Sequence, residues 1–99
     1  MTADTILELW SQHEAAAFPP ELRDREHQGI DLVLLDADIA GCVSTALTRG
    51  RLDRSRAALL RSLAPIAASA ARETPPGDAR AYLDRLAELA QRVLESRPS

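Results

Sequence analysis

GIDLVLLDADIAGCVSTALTRG, residues Gly29–Gly50, is the most apolar run of the chain, and its reading decides the fold. Set on a helix at about 100° per residue, Leu32, Leu35, Ile39, Cys42, Val43, Ala46 and Leu47 fall in one broad arc. Ala37, Gly41, Ser44 and Thr48 form a second stripe of small residues, along which another helix can approach closely. Asp31, Asp38, Thr45 and Arg49 take the remaining, polar side. An apolar arc combined with a small-residue stripe predicts a central helix with neighbours on most of its circumference. Asp36 breaks the pattern, because it falls inside the apolar arc beside Leu32, Val33, Ile39 and Ala40. An isolated buried carboxylate is costly, so Asp36 must be paired, protonated or at the rim of the bundle. Such a group is either a hydrogen-bonded structural residue or part of a site.

A competing reading takes IDLVLL as a buried strand and Asp36-Ala37-Asp38 as the loop after it. That arrangement resembles the Mg²⁺-binding DxD loops of haloacid-dehalogenase-type phosphatases and glycosyltransferases. It is set aside because nothing else in the chain reads as a strand and a parallel sheet needs partners. The chain also has no lysine and no second acidic motif to complete such a site.

Ninety-nine residues make one domain, spanning 1–99, with a core small enough that dimerisation would help it. The only aromatics are Trp10, Phe18 and Tyr82, so the core must be built from Leu, Ile, Val and Ala, as in closely packed helices. The expected fold is all-α: a four-helix up-down bundle with a short irregular helical segment between helices one and two. Every basic residue is an arginine and the net charge is −3, which argues against a nucleic-acid partner. Cys42 lies in the apolar arc and reads as a small buried hydrophobe, and an unpaired cysteine fits a reducing compartment. No leader and no apolar run of membrane-spanning length is seen, so the expectation is a cytoplasmic protein with no membrane association.

Helix one is expected from Thr2 or Asp4 as N-cap to about Ala17, with Ile6, Leu9, Trp10, His13, Ala16 and Ala17 on its apolar stripe. Phe18-Pro19-Pro20 stops it. The charged segment Glu21–His27 reads as a solvated connector of one or two irregular helical turns. Gly50 can close helix two in a left-handed cap. Asp53 caps helix three, which runs to about Arg72 with Leu52, Leu59, Leu60, Leu63, Ile66, Ala67 and Ala70 inward, and with a bend and not a break at Pro65. Asp78 caps helix four, which runs to about Ser96 on an inner face of Ala79, Tyr82, Leu83, Leu86, Leu89, Ala90, Val93 and Leu94. Arg97-Pro98-Ser99 reads as a frayed tail. A helix-turn-helix is a further possibility, resting on Arg49, Arg51, Arg54, Arg56 and Arg61, but an acidic domain would need them on one segregated face.

Antiparallel packing of successive helices allows depth to be counted from the helix ends. His13 lies about four residues before the end of helix one, Asp36 about five after the start of helix two, and Tyr82 about four into helix four, nearly one level at a rise of about 1.5 Å per residue. One polar layer is therefore expected to collect His13, Asp36 and Tyr82, with Trp10 a turn deeper. As structure it satisfies polar groups and fixes helix register; as chemistry it is a carboxylate-oriented imidazole, a general base or ligand site assisted by Asp38 or Tyr82. Arg23, Arg25 and His27 are expected near the same end, at the mouth of any pocket. No residue set points to a metal or a cofactor: Glu-x-x-His pairs, CxxC, phosphate loops and Gly-x-Ser-x-Gly are all absent.

The run GIDLVLLDADIAGCVSTAL, with Trp10-x-x-His13 and Phe18-Pro19 ahead of it, resembles a group of short all-helical bacterial proteins of unassigned function. The resemblance spans most of the chain and implies no substrate, cofactor or partner; it groups Trp10, His13, Asp36 and Asp38 as a set. The functional expectation is a small helical protein acting through protein–protein contact, as a homodimer and without a catalytic motif. The alternatives are a small-molecule-binding protein or enzyme using the His13–Asp36 layer, and a DNA-binding regulator.

Overall fold

The computed structural model describes residues 2–96. Its architecture is all-α, four helices in an up-down bundle: α1 (Thr2–Ala15), α2 (Leu32–Arg49), α3 (Arg54–Arg72) and α4 (Asp78–Glu95). The cap expected at Thr2 or Asp4 and the tail expected at Arg97-Pro98-Ser99 rest on side chains and residues outside those described. No helix among the described residues is long and apolar enough to cross a membrane.

Helix ends follow local chemistry. Asp31 caps α2, its carboxylate accepting from the amides of Val33 (2.8 Å) and Leu34 (3.3 Å). Asp53 caps α3 through the amide of Arg56 at 2.8 Å, and this backbone hydrogen bond, first among its causes, lowers the Asp53 pKa. Gly50 ends α2 in the left-handed region at φ 79°, where a Cβ would be strained. The α4 start differs from expectation: the cap position is Gly77, at φ 149° and ψ −167°, and Asp78 is the first helical residue. Asp78 there supplies negative charge to the first turn, where the helix dipole favours it. Pro65 is exposed within an uninterrupted α3.

The connector after α1 is a correction. Only Pro20–Leu22 is helical, as one 3₁₀ turn; the remainder forms a two-stranded antiparallel hairpin of β1 (Glu26–His27) and β2 (Ile30–Asp31). Its two-residue turn places Gln28 at φ 53° and Gly29 at φ 79°, the paired positive φ values of a type I′ hairpin. The Ile30–Asp31 strand then passes directly into α2, so the apolar run from Leu32 is helix and the buried-strand reading fails. Nor is the connector wholly solvated. Leu22 is fully buried, a plug worth about 1.5–3 kcal/mol relative to exposure.

The core gathers Leu35, Ile39 and Val43 of α2, Leu60 and Ala67 of α3, and Leu83, Leu86 and Leu89 of α4, with Ile6 from α1. α4 packs against α1, α2 and α3, most extensively against α3, which makes it the central helix. The expectation that α2 is covered on most sides is therefore wrong. Its apolar arc is buried, but Ala37, Gly41, Ser44 and Thr48 are all exposed. Leu59 and Ala17, expected inward, are also exposed. Cys42 is buried, its thiol 3.7 Å from the Arg56 carbonyl oxygen, and burial raises its pKa.

Candidate functional site

His13 near the end of α1, Asp36 in the second turn of α2 and Tyr82 in the second turn of α4 converge on one layer. The Asp36 carboxylate uses both oxygens: Oδ1 accepts from His13 Nε2 and Oδ2 from the Tyr82 hydroxyl, each at 2.8 Å. The phenol oxygen lies 3.3 Å from the same imidazole nitrogen, closing a triangle. The Tyr82 proton is committed to Asp36, so the Nε2 proton is shared between carboxylate and phenol oxygen. The other ring nitrogen, Nδ1, is buried and has no hydrogen-bond partner among the described residues.

Burial is uneven across the layer. His13 is 6% exposed and Tyr82 5%, whereas the Asp36 side chain retains 18% at the rim. This is the solution to a carboxylate in an apolar arc: it sits at the bundle edge with two donors fixed on it. Tyr82 responds most visibly, its phenol pKa held well above the usual range first by burial and then by the Asp36 carboxylate it donates to.

Aromatic rings extend the layer. Trp10 stacks on His13 with centroids 6.1 Å apart, and Phe18 meets Tyr82 edge-on at 5.5 Å. Arg23 lays its guanidinium over Phe18, 5.5 Å from the ring centre, and Arg85 does the same to Tyr82 at 5.6 Å. Of the residues the sequence singles out, Trp10, His13, Asp36 and Tyr82 thus come together and Arg23 lies at the end of the row. Asp38 does not join them; it is exposed on the outer side of α2. Arg25 and His27 are not at this end's mouth either. They line a separate small cavity with Glu73 and Thr74, where His27 Nε2 lies 2.8 Å from the Ser69 hydroxyl and ties the hairpin to α3.

Arg85 and the Phe18-Pro19-Pro20 corner are what sequence reasoning missed. Arg85 stands one turn beyond Tyr82, at the edge of the α4 inner face, and the prolines read only as a helix stop. Together they border a groove of about 440 Å³ beside Tyr82. Chemically, Nε2 of His13 is engaged and Nδ1 is buried, so the layer meets solvent through the Asp36 carboxylate, which is 18% exposed at the rim. Among the described residues no group of three or more His, Cys, Asp or Glu could hold a metal ion. Arg49, Arg51, Arg54 and Arg61 are exposed, as is Arg56, which is paired with Asp53. Comparison with protein-family models, with curated proteins and with solved structures finds no match to this chain.

Proposed function

We propose that this chain is a small cytoplasmic helical protein that acts through protein–protein contact, as a homodimer joined along α2. The observation that carries the reading is the uncovered face of α2. Ala37, Gly41, Ser44 and Thr48 run along it, exposed, and Val33 (38% exposed) and Leu34 (60%) flank it at the amino-terminal end. Gly41 is the telling residue. Glycine in an exposed helix interior costs about 0.5–1 kcal/mol relative to alanine. A Cβ there would meet nothing within 4 Å, so the chain itself gives no reason for glycine. Close approach by another molecule would.

The pattern is self-complementary. The small residues are spaced four, three and four apart, a palindrome, so an antiparallel copy sets Ala37 opposite Thr48 and Gly41 opposite Ser44 in both directions. This is what an isologous two-fold contact requires. Along one edge of the same face lie Asp38 and Arg49, both exposed, with Asp38 near one end and Arg49 near the other. In that antiparallel register each aspartate comes within reach of the other copy's arginine. The His13–Asp36–Tyr82 layer, on this reading, fixes α1, α2 and α4 against one another and so holds the α2 face in shape.

Sedimentation equilibrium tests the proposal. The wild-type chain is expected to dimerise, Gly41→Leu to be monomeric while keeping its helical content, and Asp38→Arg to weaken the dimer. Asp38→Arg combined with Arg49→Asp is expected to restore it, since the charges then pair again. A monomeric wild type at high micromolar concentration, or a Gly41→Leu protein that dimerises as before, would sink the idea.

A further inference from the structure

We infer that the groove beside Tyr82 is a binding site for a small organic carboxylate, held by Arg85. One wall is the turn after α1, with Phe18, Pro19 and Pro20, and the other is α4, with Ala81 and Tyr82. The volume of about 440 Å³ falls in the range of small-molecule sites. Rings and methyl groups form somewhat more than half of its surface, and the charged Glu21, Asp78 and Arg85 share the rest of the lining.

The charge that would anchor such a ligand is already present and unpartnered. Arg85 is half-buried, with its guanidinium over the Tyr82 ring and its Nε buried without a hydrogen-bond acceptor. No carboxylate pairs with it among the described residues, although the protein carries 15 acidic side chains. A buried donor without an acceptor is costly, and a guanidinium presents a fork that matches a carboxylate in two hydrogen bonds. An incoming carboxylate would engage the terminal nitrogens of the half-buried guanidinium, since Nε itself is buried. This inference is independent of self-association, since Arg85 and the groove lie on α4 and the α1 turn.

Two acids on the same groove narrow the class. Asp78 stands two turns before Arg85 on the same α4 face, and Glu21 lines the opposite wall. Neither pairs with Arg85, so one cation faces two anions. Attraction to Arg85 and repulsion by the two acids both scale with ligand charge, whereas the cost of desolvation rises roughly with its square, so a dianion such as phosphate fares worse there than a monocarboxylate with an apolar body. The site therefore selects one negative charge on an apolar body.

The test is an NMR titration of isotope-labelled full-length chain with phenylpropionate, read at the Arg85 Nε–H and at the Ala81 and Tyr82 amides. Phenylpropanol and inorganic phosphate are titrated in parallel. Saturable shifts with the acid are expected at millimolar concentration, with the alcohol and phosphate at least about tenfold weaker, and Arg85→Met is expected to weaken the acid by about tenfold or more. Arg85→Lys, which keeps the charge but loses the fork, should fall between, and it carries the comparison if circular dichroism shows Arg85→Met unfolded. Absence of saturation at Arg85, equal binding of acid and alcohol, tighter binding of phosphate, or an unaltered affinity in the arginine variants would each overturn the assignment.

Discussion

Replacing Asp36 by alanine removes the one acceptor that serves both His13 and Tyr82. Those two residues are 6% and 5% exposed, so their donors have little access to replacement water. A buried donor left without an acceptor costs about 1–3 kcal/mol. Two such donors would cost about twice that, but His13 Nε2 keeps the phenol oxygen at 3.3 Å as an acceptor, and the Asp36 side chain is 18% exposed, so solvent can enter the space it vacates. The lower part of the range then applies to each donor, giving a total of about 2–3 kcal/mol. For a domain of this size each kcal/mol lowers the thermal midpoint by roughly 4–8 °C, so a fall of about 8–24 °C is expected. Asp36→Asn keeps one acceptor oxygen and should lose about half as much. Tyr82→Phe removes a single donor to the carboxylate and should cost about 1–1.5 kcal/mol. Because the two residues share a bond, the double variant Asp36→Ala/Tyr82→Phe should fall short of additivity by roughly 1 kcal/mol. Thermal and urea unfolding followed by circular dichroism measure all four proteins. A loss below about 0.5 kcal/mol in Asp36→Ala, the level of an ordinary surface change, would refute the layer as a buried network.

Tyr82 is the sole tyrosine, so its phenolate absorbance can be titrated without overlap. Its native pKa is raised while the unfolded value is about 10, so the folded state holds a proton that the unfolded chain has released; stability is full below about pH 10 and declines above it. The decline should be shallower in Tyr82→Phe, and a native midpoint near 10 would contradict the burial argument. Gly77→Ala should cost about 1–3 kcal/mol from backbone strain alone, because φ 149° is a glycine conformation and a Cβ there meets nothing within 4 Å. A neutral outcome in denaturant unfolding would show that the α4 start can relax. Ser69→Ala removes the partner of His27 and should cost about 0.5–1.5 kcal/mol. The accompanying faster hydrogen exchange should be confined to the hairpin amides, and uniform acceleration would rule out a local pin.

What could be read from sequence was periodic or covalent in origin. The α2, α3 and α4 inner faces repeat every three to four residues, and Asp31, Asp53 and Gly50 are residues whose local chemistry ends helices. The same regularity placed His13, Asp36 and Tyr82 on one level, because rise per residue converts sequence position into depth. The hairpin was hidden because Gln28-Gly29 is a weak turn signal beside two-residue strands, and because charges at Arg23–Glu26 look like any solvated connector. Leu22 was hidden for the same reason, a lone apolar side chain without period. Which face of α2 is covered depends on where α3 and α4 lie, and pattern alone treats a small-residue stripe as a contact without saying with whom. Arg85 needed the tertiary structure too, since its missing partner is a property of three dimensions.

Gly41→Ala separates what a single chain needs from what an assembly needs. Within one chain the substitution adds a methyl group to an exposed helix position with nothing within 4 Å. It also removes the flexibility of glycine from the unfolded state, so the isolated fold should gain about 0.5–1 kcal/mol. In the proposed dimer the same methyl enters the centre of the contact, opposite Ser44 of the other copy, and pushes the two helices apart. Affinity should then fall even as the monomer grows more stable. Urea unfolding in dilute solution reads the first effect and sedimentation equilibrium the second, and the two must move in opposite directions. A gain in both would mean that the glycine has no partner to accommodate, and the α2 face would lose its strongest support as an interface. Asp36→Ala provides the contrast: it should weaken the fold itself, and self-association only through it. One helix thus carries a face that holds the chain together and, in the proposed dimer, another that would meet a second copy, and the two substitutions address them separately.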